Sequence, residues 1–272
     1  MSREWDDPVL YPNMPAITFA SWVRVFVRGL TLAAFIFGCF LFLLVIRLLE
    51  RPIFKSQRPW TPRITQFVCR NALRIIGIGF EVQGSLMQEP GAVVANHSSW
   101  LDIFVLNARE GIYFVSKAEV ATWPVIGWLA QATGTIFINR NPKEARAQKS
   151  VFKKRLLAGH KLLFFPEGTS TDTVRILPFK PTLFAAFYVP ELRSKLHIQP
   201  VTVIYSAPPK YDARFYGWWG DMDFGTHLLQ VLAVRSQGSV RVIYHSPVPV
   251  NNVQDRKKLA AHCESVIRSK MK

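Results

Sequence analysis

The sequence predicts an α/β fold: a single mostly parallel sheet domain flanked by helices, preceded by an N-terminal membrane-anchoring helix. Three observations carry that expectation. From Glu81 onward, short apolar runs alternate with helical stretches, the rhythm of a parallel sheet with crossover helices. Several of those runs are apolar on both faces, as strands covered on both sides should be. Gly29 to Ile46 is an uncharged run (GLTLAAFIFGCFLFLLVI), close to the ~20 residues a helix needs to cross a bilayer.

Taken in order, the apolar run comes first. Arg24 and Arg28 precede it, and Arg47, Glu50 and Arg51 follow. It is a poor secretory signal: it starts well into the chain, behind Glu4, Asp6 and Asp7, and no small-residue cleavage pattern follows it. Being apolar all round, it reads as a membrane anchor, spanning or half-inserted, with a buried core helix as the alternative. Arg47, Arg51, Lys55, Arg58, Arg63, Arg70 and Arg74 then stand against one acid, Glu50. Such a cluster favours the cytoplasmic side, where it meets anionic headgroups. Thr61 to Ile78 sets Ile64, Phe67, Val68 and Leu73 against Arg63, Arg70 and Arg74, an amphipathic helix near that surface or an ordinary surface helix. Residues 1–80 are therefore expected to form the anchor and a basic interfacial helix, and residues 81–272 one catalytic-sized domain.

Within that domain the expected strands are Ala92–Ala95, Ile112–Val115, Thr135–Ile138, Leu162–Phe165, Ile198–Tyr205 and Val240–Tyr244. The expected helices are Leu101–Ala108, Pro124–Thr133, Pro142–Ala158 and Thr182–Val189. The third has Pro142 near its start and Gly159 just past its end.

Composition narrows the function. Charged residues are 19% of the 272, against ~25% in an average soluble domain, and hydrophobic residues are 49%. A disordered chain is excluded and contact with lipid is favoured. The net charge of +16 calls for an acidic partner: an anionic membrane, a phosphorylated substrate or nucleic acid. Cys39, Cys69 and Cys263 form no CxxC pair, so neither a disulfide scaffold nor a zinc site is expected, and a reducing, cytoplasmic setting fits. GxSxG, GxxxxGK[ST], HExxH and a strand-borne GxGxxG are all missing from the chain. No metal or other cofactor is expected.

Ligands in such sheets sit beyond the carboxyl ends of the strands. Asn96 to Asp102 follows one expected strand there, and Pro166 to Asp172 follows another. His97 is the natural general base, and Asp102 the carboxylate that fixes its tautomer and stabilises the imidazolium. Residues at that spacing do not share a face of a regular helix. His97 must therefore precede the helix, with Asp102 folded back from its first turn and Ser98 or Ser99 as the N-cap.

The second segment, Phe165-Pro166-Glu167-Gly168-Thr169, brings a resemblance with it. With Asn96-His97-Ser98-Ser99-Trp100-Leu101-Asp102 (N-H-x4-D), Phe137-Ile138-Asn139-Arg140 and Ile198-Gln199-Pro200-Val201, it resembles in order and spacing the membrane-associated glycerolipid acyltransferases, the 1-acylglycerol-3-phosphate acyltransferase family. The resemblance covers Ala92 to Val201. It implies that His97 deprotonates the free hydroxyl of a lyso-lipid while Asp102 orients its ring. The alkoxide then attacks an acyl thioester, borne by acyl carrier protein or coenzyme A, with no serine acyl-enzyme. Glu167, Gly168 and Thr169 would bind the acceptor head or shape the oxyanion site, and Lys117 and Arg140 would attract phosphate or the negatively charged donor.

One departure stands out. Many members continue with an arginine after the Gly-Thr, where this chain has Ser170, then Thr171 and Asp172. Lyso-ornithine lipid acyltransferases resemble this variant; Arg175 or Lys180 could supply the charge instead. The acceptor is thus 1-acylglycerol-3-phosphate or lyso-ornithine lipid. The rival readings are a thioester hydrolase and a membrane-tethered nucleic-acid-binding protein. The second explains the charge but not the ionisable clusters at strand ends, and no nucleic-acid motif is visible. The expectation is a membrane enzyme of lipid synthesis with its catalytic domain on the cytoplasmic face.

Overall fold

Strand β2 (Gly91–Ala95) shows how the sequence builds two cores at once. Every residue in it is buried. Val93 and Ala95 join one apolar cluster, Ala92 and Val94 another, the period-two alternation of a strand between helical layers. The computed structural model describes residues 11, 12, 14, 16–55, 57–139 and 145–271, the side chains of 145–149 excepted.

The other strands are β1 (Gly79–Gln83), β3 (Tyr113–Lys117), β4 (Ile136–Ile138), β5 (Leu162–Phe164), β6 (His197–Ser206), β7 (Ser239–Tyr244) and β8 (Val248–Pro249). They form one sheet in the order β1-β7-β6-β2-β5-β3-β4, with β8 beside β6. Neighbours are parallel except where β7 and β8 meet β6. Because β2, β3, β4, β5 and β6 run the same way, the segments after Ala95, Lys117, Ile138 and Phe164 emerge at one edge. That edge is where an α/β sheet places its ligand site.

On one side of the sheet pack α1 (Phe19–Phe54), α2 (Thr61–Ile76), α3 (Asp102–Asn107) and α7 (Phe224–Ala233). On the other pack α5 (Ala145–Leu157), a 3₁₀ helix over Pro181–Tyr188 and α8 (Arg256–Arg268). Two short helices, α4 (Ile126–Thr133) and α6 (Pro190–Arg193), complete the set. The six expected strands are all present. The helix expected over Thr182–Val189 is the 3₁₀ segment, and the start of the one expected from Pro142 lies outside the described residues. The amphipathic helix stops at Ile76 because Gly77 takes a left-handed φ of 95°, where its amide bonds back to Leu73. Beyond those expectations the structure adds β1, β8, α7 and α8.

The apolar run lies within a longer helix. α1 runs back along α2: Phe35 meets Phe67 and Phe54 meets Trp60, with ring centroids 5.7 and 5.2 Å apart. Two polar contacts fix its ends. Arg24 and Arg28 donate to the carbonyls of Leu232, Ala233 and Val234, the free acceptors at the C-terminus of α7. Glu50, fully buried, accepts from the amides of Trp60 and Thr61 and so caps the N-terminus of α2. Between these ends Phe26, Leu30, Leu41, Phe42, Val45 and Leu48 face outward. Only 11% of the most apolar window of α1, of mean hydropathy 2.7, is buried. A soluble protein does not leave so large an apolar face uncovered.

Candidate active site

Asn96 follows β2 and begins the site. Its side chain replaces a strand partner: Nδ2 donates to the Val203 carbonyl at 2.9 Å, and Oδ1 accepts the Val203 amide at 2.8 Å. Held to β6 in this way, the backbone is released to turn at His97.

Asp102 organises that turn. Its carboxylate, fully buried at the start of α3, collects four donors. His97 Nδ1 lies 2.8 Å from Oδ2, which also accepts the amides of Ser98 and Ser99 at 2.8 and 3.1 Å. The Tyr205 hydroxyl donates to Oδ1 at 2.6 Å. The capping is reciprocal: Asp102 reaches back to the serine amides, and the Ser99 hydroxyl, as expected of one of the two serines, accepts the Leu101 amide at 3.3 Å in the turn that leads into α3. With Nδ1 turned to a carboxylate, the ring carries its proton there, an assignment made from the hydrogen-bond network. Nε2 is left as the basic nitrogen. Burial and the neighbouring carboxylate push the Tyr205 hydroxyl well above its usual range, so it stays a donor.

The loop after β5 closes over the imidazole. Phe165 stacks on His97, with ring centroids 3.9 Å apart and planes within 10°. Glu167, 1% exposed, accepts the amide of His97 on one oxygen and that of Leu177 on the other, both at 2.7 Å. Burial pushes its pKa up to about 8, against the pull of those two amides. The expectation for Glu167 was contact with the acceptor or the oxyanion; its carboxylate here ties two loops together from below. The Thr171 amide donates to the His97 carbonyl at 2.9 Å, so the imidazole-bearing residue is gripped on both sides.

The remaining expected residues fall as follows. Gly168 turns the chain with a φ of 77°, and a Cβ there would stand 2.7 Å from Lys180 Nζ. Thr169 is half-buried and Ser170 buried. Asp172, also buried, is engaged: the amides of Val174 and Arg175 donate to Oδ1, and Arg175 Nε and Nη2 both reach Oδ2 at 2.8 Å. The Arg175 side chain is 45% exposed. Thr173, between them, adopts a left-handed φ of 70° that a β-branched residue rarely accepts. Lys117 ends β3 at the same sheet edge, opposite Ile138 of β4. Arg140 lies outside the described residues. Trp218 and Trp219 pack a turn: the Trp218 amide donates to the Ser98 carbonyl, and Trp219 is buried. Among the described residues no cluster of three or more His, Cys, Asp or Glu could hold a metal.

Asn96, Tyr205 and the stacking role of Phe165 were invisible in the spacing of charged residues. Tyr205 lies more than a hundred positions from Asp102 in the chain, and only the pairing of β2 with β6 brings it close.

Comparison with known proteins gives the family. A family model described as Acyltransferase matches residues 79–204. The chain is 54% identical over 260 residues to the lyso-ornithine lipid O-acyltransferase of Rhodobacter capsulatus, covering 96% of this chain and 94% of that one. It is 38% identical over 118 residues to a 1-acyl-sn-glycerol-3-phosphate acyltransferase of Neisseria gonorrhoeae, 42% of this chain and 46% of that one. The crystal structure of the 1-acyl-sn-glycerophosphate acyltransferase PlsC from Thermotoga maritima shares the fold, with a TM-score of 0.60 at 19% identity, over 91% of this chain and 96% of that one. The chain belongs to the glycerolipid acyltransferase family, which holds both lyso-ornithine lipid and 1-acylglycerol-3-phosphate acyltransferases.

Proposed function

We propose that this acyltransferase moves a fatty acyl chain from a thioester of acyl carrier protein or coenzyme A to the hydroxyl of lyso-ornithine lipid. The observation that carries the mechanism is the 2.8 Å contact between His97 Nδ1 and Asp102. It leaves Nε2 to take the hydroxyl proton as the oxygen attacks the thioester carbonyl. When the tetrahedral adduct collapses, the C–S bond breaks and Nε2 returns that proton to the departing thiolate. Asp102 stabilises the imidazolium between the two steps and keeps its own charge. Phe165 and Glu167 fix the ring and its backbone, so little reorganisation is needed at the moment of reaction. Gly168, Thr169 and Ser170 line the acceptor side, and Lys117 and Arg140 draw in the negatively charged donor.

Ser170 and the Asp172–Arg175 pair support the acceptor. The pair cancels its own charge, which suits a zwitterionic ornithine head better than a phosphate bearing up to two negative charges. The half-exposed Arg175 guanidinium matches the ornithine carboxylate. Similarity to the Rhodobacter capsulatus enzyme points the same way. The N-terminal helices α1 and α2 hold the sheet domain, which begins at β1, against the cytoplasmic face of an anionic membrane.

The test supplies purified enzyme with one labelled acyl thioester and, in parallel, lyso-ornithine lipid and lysophosphatidate. Acylated lyso-ornithine lipid is the expected product, and Ser170→Arg should raise activity on lysophosphatidate relative to it. Fatty acid released without any acylated lipid would make the protein a hydrolase and end this reading.

A further inference from the structure

Opposite the His97 edge, at the amino ends of the parallel strands, lies a group of cations with too few acceptors. Arg47 near the end of α1, Arg58 in the α1–α2 connection and Arg155 on α5 gather around Tyr113, the first residue of β3, and His160, just ahead of β5. Arg47 donates to the carbonyls of Lys55 and Gln57, which brings it next to Arg58. Arg58 Nη1 donates to the Ala132 carbonyl at 2.6 Å and Arg155 Nη2 to that of Gly134 at 3.0 Å, both at the end of α4. The Arg155 guanidinium stands 4.4 Å over the Tyr113 ring, and the His160 ring lies 4.6 Å from it.

Among the described residues the balance does not close. Glu50, the carboxylate at hand, is already filled by the Trp60 and Thr61 amides, the Thr61 hydroxyl and Arg47. The carbonyl end of α4 contributes only about half a negative charge. Two nitrogens are left over: Arg155 Nε and His160 Nδ1 are buried with no hydrogen-bond partner among the described residues. His160 is only 7% exposed. More than about 90% of buried polar groups are paired, so two orphans in one group of like charges mark a place for a missing acceptor. Burial and mutual repulsion pull Arg58 down to about 10 and His160 to about 4. At neutral pH His160 is thus uncharged beside three arginines, with a proton on one of its two ring nitrogens.

We propose that Arg47, Arg58, Arg155 and His160 form a second, non-catalytic anion site that takes a phosphate group. Guanidinium forks match phosphate oxygens in pairs, and the tautomer of His160 that carries its proton on Nδ1 adds a further donor. The source favoured by the fold is the phosphodiester of an anionic phospholipid. Arg47 is the first charged residue after the outward-facing apolar run, which puts the group at headgroup depth once that face enters lipid. A lipid bound there would fasten the end of the α1–α2 pair farthest from the catalytic edge.

Thermal unfolding of the full-length protein in nonionic detergent tests this. Inorganic phosphate at about tenfold excess over its Kd should raise the melting temperature by about 3–6 °C above sodium chloride of equal ionic strength. Phosphatidylglycerol in phosphatidylcholine vesicles should do the same relative to phosphatidylcholine alone. A response to phosphate without one to phosphatidylglycerol keeps the site and assigns it to a soluble phosphate. Arg155→Gln should abolish the phosphate response. His160→Phe, which keeps the stacking on Tyr113, should weaken it and decides the matter if Arg155→Gln does not fold. No phosphate response in the wild type, or an undiminished one in a folded variant, overturns the proposal.

Discussion

At the scale of single residues, the site is a set of satisfied carboxylates arranged around one half-exposed imidazole. Asp102 has four donors, so its charge is fixed in place, and the polar group left with work to do is His97 Nε2. His97→Ala should lower acyl transfer by ~10²–10⁴-fold with the fold intact, and Asp102→Asn should also cost heavily because the ring loses its orienting charge. Steady-state rates on one thioester and one acceptor check both, and near-normal turnover by His97→Ala would refute the mechanism. Glu167 makes a second, pH-dependent prediction. Its folded pKa of about 8 lies above the ordinary 4.5, so between those values the folded chain binds more protons than the unfolded one. Stability therefore falls as pH rises through that window. Glu167→Gln should flatten the fall in melting temperature between about pH 5 and pH 8. It should also lower stability overall, because the amide nitrogen of glutamine faces a backbone N–H donor. Parallel slopes for both proteins would show that Glu167 does not titrate as described.

At the scale of elements, helix ends explain how α1 is attached. Each end of a helix leaves unpaired backbone groups, and α1 supplies side chains for two of them. Its arginines serve the carbonyls of α7, and its Glu50 serves the amides of α2. Glu50→Ala would strand the Trp60 and Thr61 amides and leave Arg47 without its carboxylate. A loss of about 3 kcal/mol is expected. For a chain of this size that lowers the melting temperature by roughly 5–10 °C. New protease cleavage in residues 55–60 should accompany it. If Glu50→Ala melts with the wild type, the clasp contributes nothing.

At the scale of the whole molecule, the two ends of α1 rest on the same domain, so its outward apolar face runs along the protein as a strip. Removing the helix is a poor test of anchoring, since Val25 and Leu32 belong to the core and α7 would lose its cap. Leu41→Glu combined with Val45→Glu changes only exposed positions one turn apart. Membranes carrying wild-type protein should retain it through alkaline carbonate. The double variant should be released by high salt while melting near the wild-type temperature, because what remains is screened electrostatic attraction. Retention of both proteins alike would move the anchor elsewhere.

The sequence by itself determined whatever local periodicity and residue type encode. The uncharged run, the apolar strands and the His97–Asp102 spacing depend on neighbours a few positions apart, and so could be read directly. β1 and α8 escaped because their faces alternate with exposed polar residues and their apolar positions acquire meaning only against the sheet. What the tertiary structure decided was which charges are answered. Asp172 is committed by burial beside Arg175; Glu167 looked like a binding group, but two amides from distant loops fill it. Tyr205 reached Asp102, and Arg155 reached Tyr113, only through strand pairing across long stretches of chain. Hydrogen bonding and charge compensation act through space at a few ångströms, and the linear order of residues does not record that distance.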